Sequence, residues 1–212
     1  MKKVIYLFLL MVCLLPLSAS AHVVNTERKN ADIVADYVYQ KADLKGKIDF
    51  NVFKKAFIAY NKTRGKKKSL LTIIDYSMPS TEKRFYVIDL KSNKLLYRTY
   101  VSHGENSGRL VADRFSNRVN SHKTSLGTFL TEGTYNGGNG YSLKLNGLTR
   151  GENDNALKRF IVIHGAKYVS EAFIKRNGYL GRSWGCPAIP TYLTKKIIDT
   201  IKGGSVIFAY AK

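Results

Sequence analysis

Cys186 and His164 are the two side chains of this 212-residue sequence whose types and surroundings best suit nucleophilic catalysis. Cys186 lies between Gly185 and Pro187 in a Gly/Pro-rich turn, whereas a cysteine that only fills a core usually lies in an apolar run. His164 ends the apolar run Phe160–Ile163, which predicts a buried strand, and loops at strand ends carry much of protein chemistry. An imidazole close to a thiol favours the nucleophilic thiolate. We therefore predict a cysteine nucleophile with a histidine base.

An N-terminal secretion signal is predicted over residues 1–21. Two lysines precede an apolar run from Val4 to Leu17, which is short for a membrane span of about 20 residues, and the small residues Ala19-Ser20-Ala21 indicate cleavage before His22. Cys186 would then be the only cysteine of the mature chain. An unpaired cysteine in a secreted protein is more often reactive than structural.

The formal charge of +20 is spread along the chain and predicts an anionic partner. For a secreted protein, anionic wall polymer or a membrane surface is a better match than nucleic acid, which would rest on charge alone and would show steep loss of affinity with salt. We predict no nucleic-acid partner. A lipid anchor at Cys13 is disfavoured because Val12 precedes it where a small residue would be expected, so we predict no stable membrane anchor. We expect a monomer.

The turn around Cys186 also indicates where an oxyanion could be bound. Pro187 has no N–H to donate, so the donors should be the N–H groups of Cys186, Gly185 and Trp184. Gly185 would let the substrate carbonyl approach the backbone closely. Pro187 also favours an extended conformation at Cys186 that would present the sulfur.

Further polar residues are candidates for the substrate site. Arg182 could pair with a substrate carboxylate or favour the thiolate. His103, at a predicted strand end, could line the substrate groove, whereas His122 is interpreted as a loop residue. With His164 and Cys186 these histidines could in principle bind zinc, but no short ligand spacing is present, so we predict no metal and no cofactor.

The element pattern predicts a mainly β fold with a few helices, an antiparallel β-sandwich or barrel preceded by a short helical N-terminal segment. The glycine-rich stretch YNGGNGY at 135–141 is interpreted as a mobile loop over the cleft, with a plain hairpin connection as the alternative. The aromatic stripe of the second helix is interpreted as packing rather than ligand contact. Helices are predicted over 31–44, 49–63, 171–176 and 192–202, and strands over 71–75, 84–90, 95–102, 128–131, 141–148, 159–163 and 205–210.

Three segments follow from this pattern. Residues 1–21 form the signal peptide, residues 22–69 a helical appendage with a basic, solvated linker at 64–68, and residues 70–212 the catalytic domain.

The motifs His164-Gly165 and Ser183-Trp184-Gly185-Cys186 resemble the signature of L,D-transpeptidase (YkuD-type) catalytic domains. In that signature a histidine is followed, after a loop, by Ser/Thr-His-Gly-Cys. The stretches VSHGENSG, FSN, TSLGTF and RSWGCPAIP, between residues 101 and 190, resemble a divergent branch of the family. Trp184 stands where the common signature has a second histidine. Ala188 stands where it has a basic or amide residue.

The resemblance implies a periplasmic or cell-wall enzyme, secreted across the inner membrane, that acts on peptidoglycan stem peptides. Cys186 would attack the stem peptide and form a thioester, and the acyl group would pass to the amine of a second stem. His164 would be the general base, with the carbonyl of Gly165 orienting its imidazole, and Ser183 and Gly185 match the signature turn.

Two alternatives to a transpeptidase stay open from the sequence. Water could replace the amine acceptor, which would give an L,D-carboxypeptidase or endopeptidase. The chain could also be a wall-binding protein that has lost turnover, an interpretation that rests on the substitution at Trp184. Retention of His164, Ser183, Gly185 and Cys186 favours an enzyme, because binding alone does not require a thiol.

Overall fold

A computed structural model describes residues 32–212, so the predicted signal peptide lies outside the described residues. Helices and strands alternate irregularly along this part of the chain. The helices are α1 (32–41), α2 (Phe50–Lys62), α3 (Glu171–Asn177) and α4 (Thr191–Ile201). The strands are β1 (Leu70–Asp75), β2 (Phe85–Asp89), β3 (Lys94–Thr99), β4 (Gly127–Gly137), β5 (Gly140–Gly147), β6 (Val162–Ala166), β7 (Ala188–Pro190) and β8 (Val206–Tyr210).

All eight strands belong to one sheet in the order β3-β2-β1-β8-β4-β5-β6-β7. Neighbouring strands are antiparallel except for two parallel pairs, β1 with β8 and β6 with β7. The sheet curls into a nearly closed, barrel-like form. The predicted mainly β fold, with a helical N-terminal segment, is confirmed.

The N-terminal helices cover one face of the sheet. Their apolar residues join a core with buried side chains of β1, β2 and β8. The aromatic stripe of α2 takes part in this packing: the rings of Phe53 and Phe57 lie 5.8 Å apart, and Tyr39 of α1 packs edge-on against Phe50 at 5.1 Å. The stripe is therefore core, as predicted. No helix within residues 32–212 has the length and apolar character that crossing a membrane requires.

The basic stretch at 64–68 is largely exposed, in keeping with a solvated linker, but its last two residues are also anchored to the rest of the fold. The backbone N–H groups of Lys67 and Lys68 both donate to the carbonyl of Gly204, at 2.8 and 3.2 Å. The Lys68 ammonium donates to the carbonyl of Thr200 at 2.9 Å. The Lys68 ammonium thus lies at the C-terminal end of α4, where the helix dipole favours positive charge.

The second core lies on the other face of the sheet, beneath α4. Gly165 of β6 allows this helix to pack closely, because a Cβ at that position would clash with the Thr194 hydroxyl and lie 3.3 Å from the Cα of Thr191. Helix α4 therefore fixes the position of β6, the strand that contains His164.

Three local predictions differ from the structure near the site. Strand β6 begins at Val162 rather than at Arg159, since Phe160 has a positive φ of 55° that breaks the extended run. Strand β7 was not predicted, because it is only three residues long and ends in Pro190. The glycine-rich stretch at 135–141 is a hairpin, with Gly137 paired to Gly140, rather than an open loop.

Candidate active site

The parallel pairing of β6 and β7 brings the two predicted catalytic residues to one place. His164 is aligned with Ala188 in the ladder, and Cys186 lies two residues before Ala188. Side chains two residues apart on an extended chain share a face. His164 and Cys186 accordingly both line one cleft, with a volume of about 540 Å³.

His164 is oriented so that one ring nitrogen remains available. Its Nδ1–H donates to the carbonyl of Gly165 at 3.1 Å, the acceptor expected from the sequence, which leaves Nε2 as the basic nitrogen. The side chain is buried. Burial lowers the pKa of His164, and the bond to Gly165 opposes that shift. The imidazole is therefore neutral near pH 7 and able to accept a proton.

Cys186 is partly buried, and its thiol is held by backbone groups. The Sγ donates to the carbonyl of Phe160 at 3.6 Å. Burial raises the pKa of the thiol, whereas the N–H of Val162 and the charge of Arg159 lower it. The directions of the two shifts favour a neutral thiol beside a neutral imidazole. This differs from the imidazolium-stabilised thiolate expected from the sequence, because both groups are desolvated.

Ser183 fixes the turn that carries the cysteine. Its hydroxyl donates to the carbonyl of Cys186 at 2.6 Å and accepts the N–H of Gly185 at 3.1 Å. Gly185 is thus not a free oxyanion donor, which corrects that prediction. The N–H groups of Trp184 and Cys186 have no protein acceptor in the described part of the chain, so they remain as candidate donors.

Gly185 is required by the fold beneath the turn. Its φ is +115°, a conformation that side chains disfavour, and a Cβ there would lie 2.7 Å from the carbonyl oxygen of Lys123. The space beside the Gly185 Cα, which a substrate carbonyl was expected to approach, is therefore filled by the backbone carbonyl of Lys123.

Trp184 forms the rim of the cleft together with His122. The indole is 71% exposed and stacks on the imidazole of His122, with ring centroids 4.7 Å apart and planes inclined by 8°. His122 Nδ1 lies 2.7 Å from a carboxylate oxygen of Glu105. His122 is in a loop, as predicted, yet this loop lines the cleft. An imidazole thus lies against the position where the family signature carries a histidine.

Of the two remaining predicted site residues, Arg182 lines the cleft and His103 does not. Arg182 is exposed and lines the cleft, with Nη1 donating to the carbonyl of Gly108 at 3.3 Å. His103 does not line the cleft, contrary to the expectation that it borders the groove. It is fully buried, accepts a hydrogen bond from Arg84 at Nδ1 (2.8 Å) and lies 3.2 Å from the Gly108 carbonyl at Nε2.

The cleft is electropositive. Lys158, Arg159 and Arg182 line it, and no carboxylate side chain does. Asn139, at the tip of the β4–β5 hairpin, reaches the same cleft. Within residues 32–212 no group of three or more potential metal-binding side chains comes together. The cationic lining therefore suits an anionic substrate.

Arg159, Phe160 and Tyr168 are among the cleft residues that were not predicted as site residues. Arg159 and Phe160 precede β6 in a segment that the sequence pattern assigns to the strand itself, and nothing in that pattern marks a guanidinium as part of the site. Tyr168 lies in the interval between the two motifs, and burial together with the neighbouring Cys186 raises its pKa to about 12. Its place between His164 and Cys186 in the sequence is the one signal that could have pointed to it.

The family model of the L,D-transpeptidase catalytic domain matches residues 44–210. The chain therefore belongs to this family of enzymes. Among curated proteins there is no significant match.

Solved structures of low sequence identity also resemble the chain. An L,D-transpeptidase from Mycobacterium smegmatis is 16% identical over 68% of this chain and 59% of its own, with a TM-score of 0.41. A mutant of the helical cell shape determining protein from Campylobacter jejuni is 13% identical over 69% of this chain and 48% of its own, with a TM-score of 0.45. The chain thus spans 48–59% of the length of these proteins.

Proposed function

We propose that this protein is a peptidoglycan-modifying cysteine acyltransferase that uses Cys186 as nucleophile and His164 as general base. The observation that carries the proposal is the β6–β7 pairing, which places both residues in one cleft while the Gly165 carbonyl leaves Nε2 of His164 free. Membership of the L,D-transpeptidase family supports the substrate class.

The proposed reaction has two steps. Nε2 of His164 takes the thiol proton as Sγ attacks a stem-peptide carbonyl, and the N–H groups of Trp184 and Cys186 stabilise the oxyanion. The C–N bond breaks, the leaving amine takes the proton from His164, and a thioester remains on Cys186. The amine of a second stem then attacks the thioester carbon and loses its proton to His164. The C–S bond breaks, and the departing sulfur takes that proton from His164 to become the Cys186 thiol again.

The cationic lining supports a substrate that carries carboxylates. Stem peptides are such substrates, and Arg182 is the exposed guanidinium beside the cysteine turn. A guanidinium can bind a carboxylate through two parallel hydrogen bonds. We propose that the protein works outside the inner membrane, in the periplasm or cell wall, because of its predicted secretion signal.

Intact-protein mass spectrometry with tetrapeptide-containing muropeptides tests the proposal, with Cys186→Ala as the matched control. We expect an acyl adduct on the wild type only, and cross-linked muropeptide dimers among the products. Trimmed monomers alone would show that water is the acceptor and that the protein is a carboxypeptidase. Binding of muropeptide with neither adduct nor product would overturn the enzyme assignment in favour of a wall-binding protein.

A further inference from the structure

Arg159 is a half-buried cation without an acidic partner in the described part of the chain. Its guanidinium donates only to neutral oxygens: Nη1 to the carbonyl of Ser116 at 2.6 Å and to the Ser125 hydroxyl, and Nη2 to the carbonyl of Lys123 at 2.6 Å and the Ser121 hydroxyl at 3.2 Å. Partial burial of an uncompensated charge is costly. A fold that keeps such a charge leaves it available for a negative charge that forms during function.

The Cys186 turn lies directly against this guanidinium. A Cβ built on Gly185 would be 3.2 Å from Nη2 of Arg159, and Gly185 is the residue before the nucleophile. Arg159 and Cys186 also line the same cleft. The positive charge therefore lies beside the one side chain in the proposed reaction that has to become an anion.

We propose that Arg159 is a positioning residue whose fixed positive charge stabilises the Cys186 thiolate. The inference rests on the proposed role of Cys186 and names the electrostatic partner that this role requires. The sequence motif does not predict a role for Arg159. Where the family signature has a basic or amide residue, position 188 of this chain is a buried alanine, so the motif itself supplies no cation.

Arg182, the cation expected from the sequence to favour the thiolate, is less suited to that role. It is exposed, its Nη1 lies 3.3 Å from the Gly108 carbonyl, and its guanidinium lies 5.7 Å from the ring centre of Tyr179. Solvent screens an exposed charge. Arg159, by contrast, lowers the pKa of Cys186, and Cys186 raises the pKa of Arg159, as expected for two groups whose charges attract each other. We therefore assign Arg159 to the thiolate and Arg182 to a carboxylate of the substrate.

The thiol pKa of Cys186 measures the proposed effect without any peptidoglycan substrate. Alkylation by iodoacetamide is followed against pH in the full chain, with the Cys186 peptide quantified by mass so that Cys13 does not contribute. Because an opposite charge within a few ångströms lowers a pKa by about 1–3 units, Arg159→Gln should raise the thiol pKa by about one unit or more. Alkylation near pH 8 should then slow about tenfold, since the thiolate is the reactive form.

Three further variants separate charge from structure. Arg159→Lys, which keeps the charge but cannot make the same four bonds, and Arg182→Gln should each leave the thiol pKa within about 0.3 unit of the wild type. Ser121→Ala combined with Ser125→Ala loosens the same loop but keeps Arg159, and it should do likewise. The other titratable groups around the thiol or in its cleft are unchanged in the Arg159 and serine variants: His122, Lys158, His164, Tyr76 and Tyr168.

An unchanged thiol pKa in folded Arg159→Gln would overturn the proposal, and so would an equal rise in the double serine variant. If Arg159→Gln does not fold, a rise of one unit in Arg159→Lys overturns the proposal and wild-type behaviour supports it. Loss of muropeptide acylation with a thiol pKa that still depends on Arg159 would refute the proposed function and leave this inference standing.

Discussion

His103 and His164 are both buried and both followed by glycine, but their hydrogen-bond environments differ. His103 follows β3, and His164 lies within β6. Both ring nitrogens of His103 have partners, Arg84 at Nδ1 and the Gly108 carbonyl at Nε2. His164 uses only Nδ1 and borders the cleft. The comparison shows that an unused ring nitrogen in an accessible cleft, rather than the motif alone, distinguishes a candidate base from a structural histidine.

The largest expected difference between the two histidines is in catalysis. His164→Gln should slow acylation by about 10²–10⁴-fold, the usual contribution of a general base, and should leave the folded structure in place. His103→Gln is the matched control, and the acylation rate of its folded fraction should stay within a few-fold of the wild type. Muropeptide turnover beside thermal unfolding measures both effects. Equal loss of acylation in the two folded variants would remove the distinction.

The next effect is on stability and depends on pH. Burial, then the charge of Arg84 and to a smaller extent that of Arg182, lower the pKa of His103 to about 4, against the opposing effects of the hydrogen bond to Gly108 and the charge of Asp113. The unfolded chain therefore binds more protons between pH 6.5 and 4, so the stability linked to neutral His103 is complete above pH 6.5 and falls on acidification. The loss should approach about 3 kcal/mol at pH 4.

Urea unfolding at several pH values measures this slope in the wild type and in His103→Gln. Subtraction of the two curves cancels the other titrating groups, including His164. The variant should be less sensitive to acid by about the same 3 kcal/mol. Parallel curves for the two proteins would show that His103 is not held neutral by its surroundings.

The smallest expected effect is on substrate binding and concerns His122, which stacks on Trp184 at the rim of the cleft. Removing the indole in Trp184→Ala breaks the stack with His122 but leaves His164 and Cys186 untouched. An aromatic pair contributes about 0.5–1.5 kcal/mol, so muropeptide binding should weaken by up to about tenfold with little change in unfolding. Trp184→Phe should restore most of the affinity. Calorimetric titration would contradict this account if all three proteins bound equally.

The sequence predicted the parts of the molecule that have a local signal. Short β runs identified seven of the eight strands found within residues 32–212, and the helix predicted over 49–63 matches α2 to within one residue at each end. The His164-Gly165 and Ser183–Cys186 motifs located the candidate catalytic pair, because that chemistry needs particular residues at short spacing.

The remaining features depend on long-range contacts. Arg159 enters the site because its guanidinium binds the loop at 116–125, and His122 enters because the same loop folds against the cysteine turn. The hydrogen bond between Ser183 and the N–H of Gly185 depends on a turn geometry that residue types do not specify. The contacts of Arg159 and His122 join segments far apart in the sequence, whereas the Ser183 hydrogen bond is local and depends on backbone geometry, so neither kind could be read from residue patterns.

Localising the acyl group tests the central claim most directly. The wild-type chain is mixed with a tetrapeptide muropeptide, quenched at intervals and digested, and each peptide is weighed. We predict an adduct confined to the peptide that contains Cys186, formed together with one released terminal residue per chain and absent from Cys186→Ala. Product that accumulates without this adduct, or an adduct on another residue, would contradict the assignment of Cys186 as the nucleophile.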